Sequence, residues 1–389
     1  MRIFISTGEV SGDLQGSLLV AALMRQARFL GIDLEILALG GDRMAEAGAT
    51  LLGNTTRLSS LGLIEALPFV IPTWQIQQQS RRYLRENPPD LLILIDYAGP
   101  NISIGQYVRR HLPHVPIIYY IAPQAWVWSP NDRNTQQLIN VTDRLLAIFP
   151  EEARFFQKKG ILTTWVGHPL LDRMVDAPTR EASRLKLGIE PEEVAIALLP
   201  ASRQQELKYL LPVMCEAAQQ IYAKIPQAHF YIPVSLAAFR SVIEATVQSY
   251  NLPVTILSGQ TLEVIAASDL AITKSGTVNL EIALLNVPQV VIYRLSKSTM
   301  WLARTFFNFS ISFMSPVNLV VMKEIVPELL QEKAKSENIV QESLELLLNP
   351  KRRQQVFTDY QEMREKLGNV GVCDRAAQEI LEFAITTNV

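Results

Sequence analysis

Five consecutive apolar residues, Leu91-Leu-Ile-Leu-Ile95, leave this segment no polar face. A strand of that kind must be covered on both sides, and such strands belong to parallel sheets sandwiched by helices. The pattern recurs along the chain. Residues 3–7, 35–39, 116–121, 144–149 and 163–166 read as further strands, separated by helical spacing at 14–27, 72–85, 102–112 and 151–159. Gly167-His-Pro-Leu170 breaks the run, and a charged stretch at 176–193 leads to a second series. Its strands are predicted at 195–199, 229–233, 254–257, 270–273 and 289–293. Helical patterns follow them from Gln204, Leu236, Leu262, Val278 and Ser298, and three more, at 337–347, 351–367 and 374–386, close the chain. The 389 residues leave room for two such units. The predicted fold is α/β, with two Rossmann-like parallel-sheet domains facing a cleft. The first domain is expected at 1–167, a hinge at 168–193 and the second domain at 194–372, with 373–389 a terminal helix placed to cross back to the first.

A formal net charge of −2 argues against a nucleic-acid partner, which calls for a basic excess. The cysteines, Cys215 and Cys373, are far apart and near no histidine cluster, which fits a reducing compartment and supplies no metal motif. The N-terminus enters directly into a strand pattern with no signal-peptide segment, and no apolar run is long enough to span a membrane. The expectation is a cytoplasmic protein. Two stretches, 64–74 and 300–314, carry aromatic and aliphatic residues in place of linker composition, with Lys297 and Arg304 beside the second. They fit core packing, a subunit interface, or contact with a membrane surface.

Open α/β sheets bind ligands beyond the carboxyl ends of their strands, so polar residues just after strands are the site candidates. Leu270-Ala-Ile-Thr-Lys-Ser-Gly-Thr-Val-Asn-Leu-Glu281 reads as a buried strand, a Ser275-Gly276-Thr277 turn and a helix start. Backbone N–H groups and the helix dipole there suit an anion. Glu281 shares a helix face with Thr277, four residues before it, and suits the vicinal hydroxyls of a ribose. The structural alternative is Thr277 as a plain helix cap. Ser202 and Gln205 form a capping-box pattern, whereas Arg203 places a cation in a first helical turn, as a diphosphate-binding residue would. Lys274 would approach the same phosphates. Neither loop has P-loop spacing.

In the first half, Glu9, Ser11, Gly12 and Asp13 follow strand one and suit sugar hydroxyls or helix-start chemistry. Asp96 ends the apolar run, where partial desolvation would make it a better base. It could equally start the turn through Gly99-Pro100-Asn101. Trp126 and Trp128 suit sugar rings or acyl chains, though core packing explains such pairs more often. His168 reads as a hinge residue, with no second metal-spaced residue beside it.

Taken together, these motifs resemble the lipid-A-disaccharide synthases, GT-B glycosyltransferases, along essentially the whole chain, and the cyanobacterial branch in particular. The residues that carry the resemblance are Gly8-Glu-Val-Ser-Gly-Asp13, Ile95-Asp96 with Asn101, Pro123 with Trp126 and Trp128, and Val166-Gly-His-Pro169. They continue through Leu199-Pro-Ala-Ser-Arg203, Ser275-Gly-Thr277, Glu281, and Pro316-Val-Asn318 before Val326-Pro-Glu328. The resemblance implies an inverting transfer that joins UDP-2,3-diacylglucosamine to diacylglucosamine 1-phosphate and releases UDP. It implies Asp96 as general base, and Arg203, Ser202, Lys274, Ser275, Gly276, Thr277, Glu281 and Asn318 around the nucleotide. The lipid acceptor would lie on the first half, near Glu9, Ser11, Gly12, Asp13, Asn101, Trp126 and Trp128. No cofactor and no metal are expected, and the family is peripheral to the inner membrane, some members dimerising with exchanged C-terminal parts. Two departures stand out: Tyr97-Ala-Gly-Pro-Asn101 replaces the familiar Ala-Pro-Asp-Phe-Asn, and Ala201 replaces a glycine. A UDP-N-acetylglucosamine epimerase, another UDP-sugar transferase, or a catalytically silent UDP-sugar-binding scaffold are the competing readings on this fold.

Overall fold

In the computed structural model the described residues are 1–8, 10–56, 70–127, 132–200, 204–234, 236–294 and 313–387. They form two compact units. The first takes Met1–Arg173 and, after the chain returns, the residues from Lys366 onward; the second takes described residues between Met174 and Glu365.

The first unit is built on seven strands: β1 (Arg2–Ser6), β2 (Glu35–Gly40), β3 (Thr50–Asn54), β4 (Leu91–Ile95), β5 (Ile117–Tyr120), β6 (Arg144–Ala147) and β7 (Leu162–Trp165). They lie in the order β3-β2-β1-β4-β5-β6-β7, all parallel. Every residue of β4 is fully buried, as its composition demands. The helices are α1 (Val10–Phe29), α2 (Asp42–Glu46), α3 (Val70–Glu86), α4 (Ala98–His111), α5 (Asp132–Val141), α6 (Pro150–Lys158) and α7 (Leu170–Arg173). The strand order reverses between β1 and β4, so the topological switch point of this sheet lies there.

The second unit carries β8 (Val194–Leu199), β9 (Ala228–Val234), β10 (Val254–Ser258), β11 (Leu270–Lys274), β12 (Gln289–Tyr293) and β13 (Glu328–Leu330), in the order β10-β9-β8-β11-β12-β13, again parallel. Its labelled helices are α8 (Arg180–Leu187), α9 (Gln204–Lys224), α10 (Arg240–Gln248), α11 (Thr261–Ala267) and α12 (Val278–Leu284). Two strands, β3 and β13, escape sequence periodicity. Both are edge strands. β3 is half-exposed, contains Gly53 and shifts register against β2, and β13 is three residues long, too short for a repeat to show.

The chain leaves the first unit at Arg173, and helix Pro350–Leu367 carries it back, so α8 packs within the second unit on α11. The C-terminal helix Val372–Thr387 packs on α1. Its start is capped from a distance. The Asp172 carboxylate accepts the N–H groups of Gly371 (2.6 Å), Val372 (3.0 Å) and Cys373 (2.7 Å), donors that an isolated helix end leaves unpaired. Asp374 pairs with Arg25 of α1 at 2.8 Å, and Glu379 pairs with Arg144 of β6.

Candidate functional site

The carboxyl edge of the first sheet gathers Gly8, Asp96, Tyr97, Asn101, Trp126, Phe149, Glu152 and His168. At the end of β4, Asp96 (φ +46°) and Tyr97 (φ +49°) are both left-handed, and Ile121, just past β5, is left-handed at +61°. Left-handed non-glycine residues cost about 1–3 kcal/mol each and persist only where surroundings hold them. Here they are held. The Asp96 N–H donates to the Ile121 carbonyl at 2.9 Å. The Asp96 carbonyl accepts from Asn101 Nδ2 (2.8 Å) and from the Tyr119 hydroxyl (2.8 Å). Burial pushes that tyrosine well above its usual range, so it stays a donor. The half-buried Asp96 side chain is thus carried on a braced, strained turn at the switch point.

Several predicted acceptor residues are consumed by the fold. Asn101 is fully buried. Its Nδ2 donates to the carbonyls of Ser6, Ile95 and Asp96, and its Oδ1 accepts from Ser6 Oγ at 2.7 Å. It positions the turn, with no route to a ligand. Asp13 is buried and accepts three backbone N–H groups at the start of α2: Gly41 (2.8 Å), Arg43 (3.3 Å) and Met44 (3.1 Å). It caps that helix from α1, a structural role that its place after strand one does not reveal. Gly12 is a packing residue, since a Cβ there would lie 2.0 Å from Thr7 Oγ1. Gly12→Ala should cost about 1–3 kcal/mol through overpacking, read as a lowered melting temperature that Thr7→Ala partly restores. Ser11 is half-buried in the first turn of α1. Trp126 packs on the first core and tilts against Phe149 (centroids 5.8 Å), which in turn meets the His168 ring at 5.4 Å. Burial drops the His168 pKa to about 3, and its Nδ1 accepts the Leu170 N–H, so it is a neutral wall residue. Glu9 and Trp128 lie outside the described residues.

Sequence reading missed Glu152. In Phe149-Pro-Glu-Glu152 it looked like an ordinary acid in a helix's first turn, and it does accept the Phe149 N–H at 3.2 Å. It also accepts from Ile148 (2.8 Å) and from Ala122 across the sheet (2.8 Å), tying the ends of β5 and β6 together. Burial pushes this carboxyl up to about 7, against the pull of those three donors and with the Asp96 charge adding to the rise.

In the second unit, the turn after β11 is held by Asn279. Its Oδ1 accepts the Gly276 N–H at 2.8 Å and its Nδ2 donates to the Lys274 carbonyl at 3.0 Å. The Ser275 N–H goes to Ile292 O. Two of the N–H groups expected to face an anion are therefore occupied within the protein. The charge at the turn comes instead from Lys274, whose ammonium lies 3.5 Å from the buried Glu206 carboxylate. Gly276 makes room for it: a Cβ there would be 2.9 Å from Lys274 Nζ. Thr277 makes no side-chain cap, which removes the plain-cap explanation, and Glu281 is buried on α12, 6% exposed.

Asn318 is spent structurally. Its Nδ2 donates to Val326 O (2.9 Å) and Glu328 Oε1 (2.7 Å), and its Oδ1 accepts from Ile325 (2.8 Å) and Val326 (3.0 Å). That occupies both donors and both lone pairs of the side-chain amide. It holds Glu328, which accepts the N–H groups of Met314 and Ser315, and Ser275 Oγ donates to Met314 O at 2.8 Å. Asn318 thus shapes the segment beside Ser275. Ser202 and Arg203 lie outside the described residues. Among the described residues no group of three or more His, Cys, Asp or Glu is arranged to hold a metal.

The fold matches solved structures over nearly the whole chain. The S. aureus MnaA-UDP co-structure aligns with a TM-score of 0.69 at 13% identity, covering 98% of this chain and 96% of that one. The glycotransferase of kitacinnamycin aligns at 0.60 with 16% identity, covering 98% of each. At such identities the likeness is one of fold, that of GT-B glycosyltransferases and related epimerases. Sequence says more. The chain is 65% identical to the lipid-A-disaccharide synthase of Gloeothece citriformis over 98% of its length and 100% of the relative's. It is 61% identical to that of Synechocystis over 99% and 98%, and 34% identical to that of Geobacter sulfurreducens over 98% and 97%. The family model described as lipid-A-disaccharide synthetase matches residues 3–383, and the chain belongs to that family of glycosyltransferases.

Proposed function

We propose that the protein joins UDP-2,3-diacylglucosamine to 2,3-diacylglucosamine 1-phosphate, giving the β-1,6 disaccharide 1-phosphate and UDP. The observation that carries this reading is family membership across the whole chain, with Asp96 presented at the switch point of the first sheet. Asp96 takes the proton from the acceptor 6-hydroxyl as that oxygen bonds to the anomeric carbon. The bond from that carbon to the diphosphate breaks, and UDP leaves with the electron pair. Lys274 and Arg203 meet the charge that develops on the diphosphate, so the step as proposed needs no metal. Ser275 and Thr277 stand beside the phosphates, and Glu281 takes the ribose. Detergent-solubilised acceptor should be required for UDP release, with a disaccharide appearing in step. Release without acceptor would overturn transfer in favour of hydrolysis or epimerase-like chemistry, and UDP binding without turnover would favour the silent scaffold.

The proposal includes a cytoplasmic site of action at the surface of the inner membrane. No helix among the described residues is long and apolar enough to cross a membrane. Support for surface contact comes from α3, where Val70, Ile71 and Trp74 are 56%, 67% and 60% exposed. Further along the helix a groove of about 780 Å³ between α3 and α4 is lined by Arg81, Arg82, Arg85 and Arg110, with Glu86 as the opposing carboxylate. An aromatic and aliphatic end followed by arginines suits an anionic bilayer. Arg82→Ala with Arg85→Ala should weaken binding to vesicles of anionic phospholipid roughly 30-fold, at about 1 kcal/mol per charge. Unchanged co-sedimentation would remove α3 from the membrane face.

A further inference from the structure

The crevice between the carboxyl ends of β1 and β4 is where an open sheet of this order takes its ligand. Two chain segments border it, Gly8 after β1 and Asp96-Tyr97 after β4. They touch. A Cβ on Gly8 would fall 2.0 Å from Tyr97 Cδ1 and Cε1, so the phenol ring lies directly on the Gly8 backbone. Tyr97 is half-buried. The left-handed pair that carries it is fastened through its backbone. Asn101 donates its N–H to the Tyr97 carbonyl at 3.2 Å, and Asn101 Nδ2 and Tyr119 Oη both donate to the Asp96 carbonyl. The same braced turn therefore carries a carboxylate residue and an aromatic residue in succession. Trp126 packs on the first-unit core and against Phe149.

We propose that Tyr97 is a specificity-determining residue, its ring forming the wall of the acceptor site between β1 and β4 and taking the C–H face of the acceptor's pyranose beside Asp96. This rests on Asp96 serving the acceptor, and the ligand class is a pyranose with an exposed apolar face. Gly8 belongs to the same device: only a residue without a side chain lets the ring lie against β1.

Tyr97→Asn is the informative variant, because asparagine tolerates the left-handed backbone and removes only the ring. Steady-state kinetics should show the acceptor KM raised about tenfold, the donor KM within about twofold of wild type, and Tyr97→Phe close to wild type. An acceptor KM unchanged in Tyr97→Asn overturns the proposal, and so does an equal rise in donor and acceptor KM. Direct binding of diacylglucosamine 1-phosphate in detergent separates this from the proposed reaction. Binding by wild type but weakly by Tyr97→Asn, without turnover, would sink the reaction and keep the wall. Equal binding by both proteins would sink the wall whatever the turnover.

Discussion

Asp96→Asn should lower kcat by about 10²- to 10⁴-fold, the usual contribution of a positioned general base, while UDP affinity stays within about twofold. The substitution is clean for structural reasons. Asparagine is the same size, and it accepts a left-handed backbone at least as well as aspartate, so φ +46° is kept. The brace is kept too, because Asn101 and Tyr119 bind the residue's carbonyl and not its side chain. A melting temperature held near that of wild type would make lost turnover a statement about chemistry. Turnover within tenfold of wild type would move the base elsewhere.

Glu152→Ala should be the most destabilising single change at this edge. It leaves the N–H groups of Ala122, Ile148 and Phe149 without their acceptor, and an unsatisfied buried donor costs about 1–3 kcal/mol. A loss of about 3–5 kcal/mol is expected, or roughly 10 °C in melting temperature. The deficit should depend on pH. Burial raises the folded-state pKa from 4.5 to about 7. Below the lower value the group is protonated in both states. Between the two values the unfolded chain releases the proton and the folded chain keeps it, so stability falls with rising pH and levels off above about 7. The wild-type protein should carry a fall of roughly 3 kcal/mol across this window that the alanine variant lacks. Urea unfolding of both proteins at pH 5 and pH 8 reads it directly, the gap between them being wider at pH 5. A gap of equal size at both values would mean that the three N–H donors keep the carboxylate ionised throughout.

Much of this architecture is legible in the residues. Leu91–Ile95 announces a doubly covered strand, and its repeats locate eleven of the thirteen strands among the described residues. The strand ends then point to Asp96 and to Lys274–Thr277, and both segments stand at carboxyl edges in the structure. The two missed strands, β3 and β13, are edges: β3 is half-exposed and interrupted by Gly53, and β13 has only three residues. Structural roles at polar residues, by contrast, were not legible. Asp13, Asn101 and Asn318 sit in family motifs, and each side chain is engaged by backbone groups of other segments.

By itself the sequence determined two parallel α/β units, the strands that build them and the short list of segments at their carboxyl edges, because apolar periodicity is a local property of the chain. Only the tertiary structure decided which polar groups in those segments remain for a ligand. The partners that consume Asn101 and Asp13 come from 95 and 28 residues away, and Glu152 reaches Ala122 across 30. A buried polar side chain is committed by whatever donor or acceptor the fold brings beside it, and no local spacing reports that.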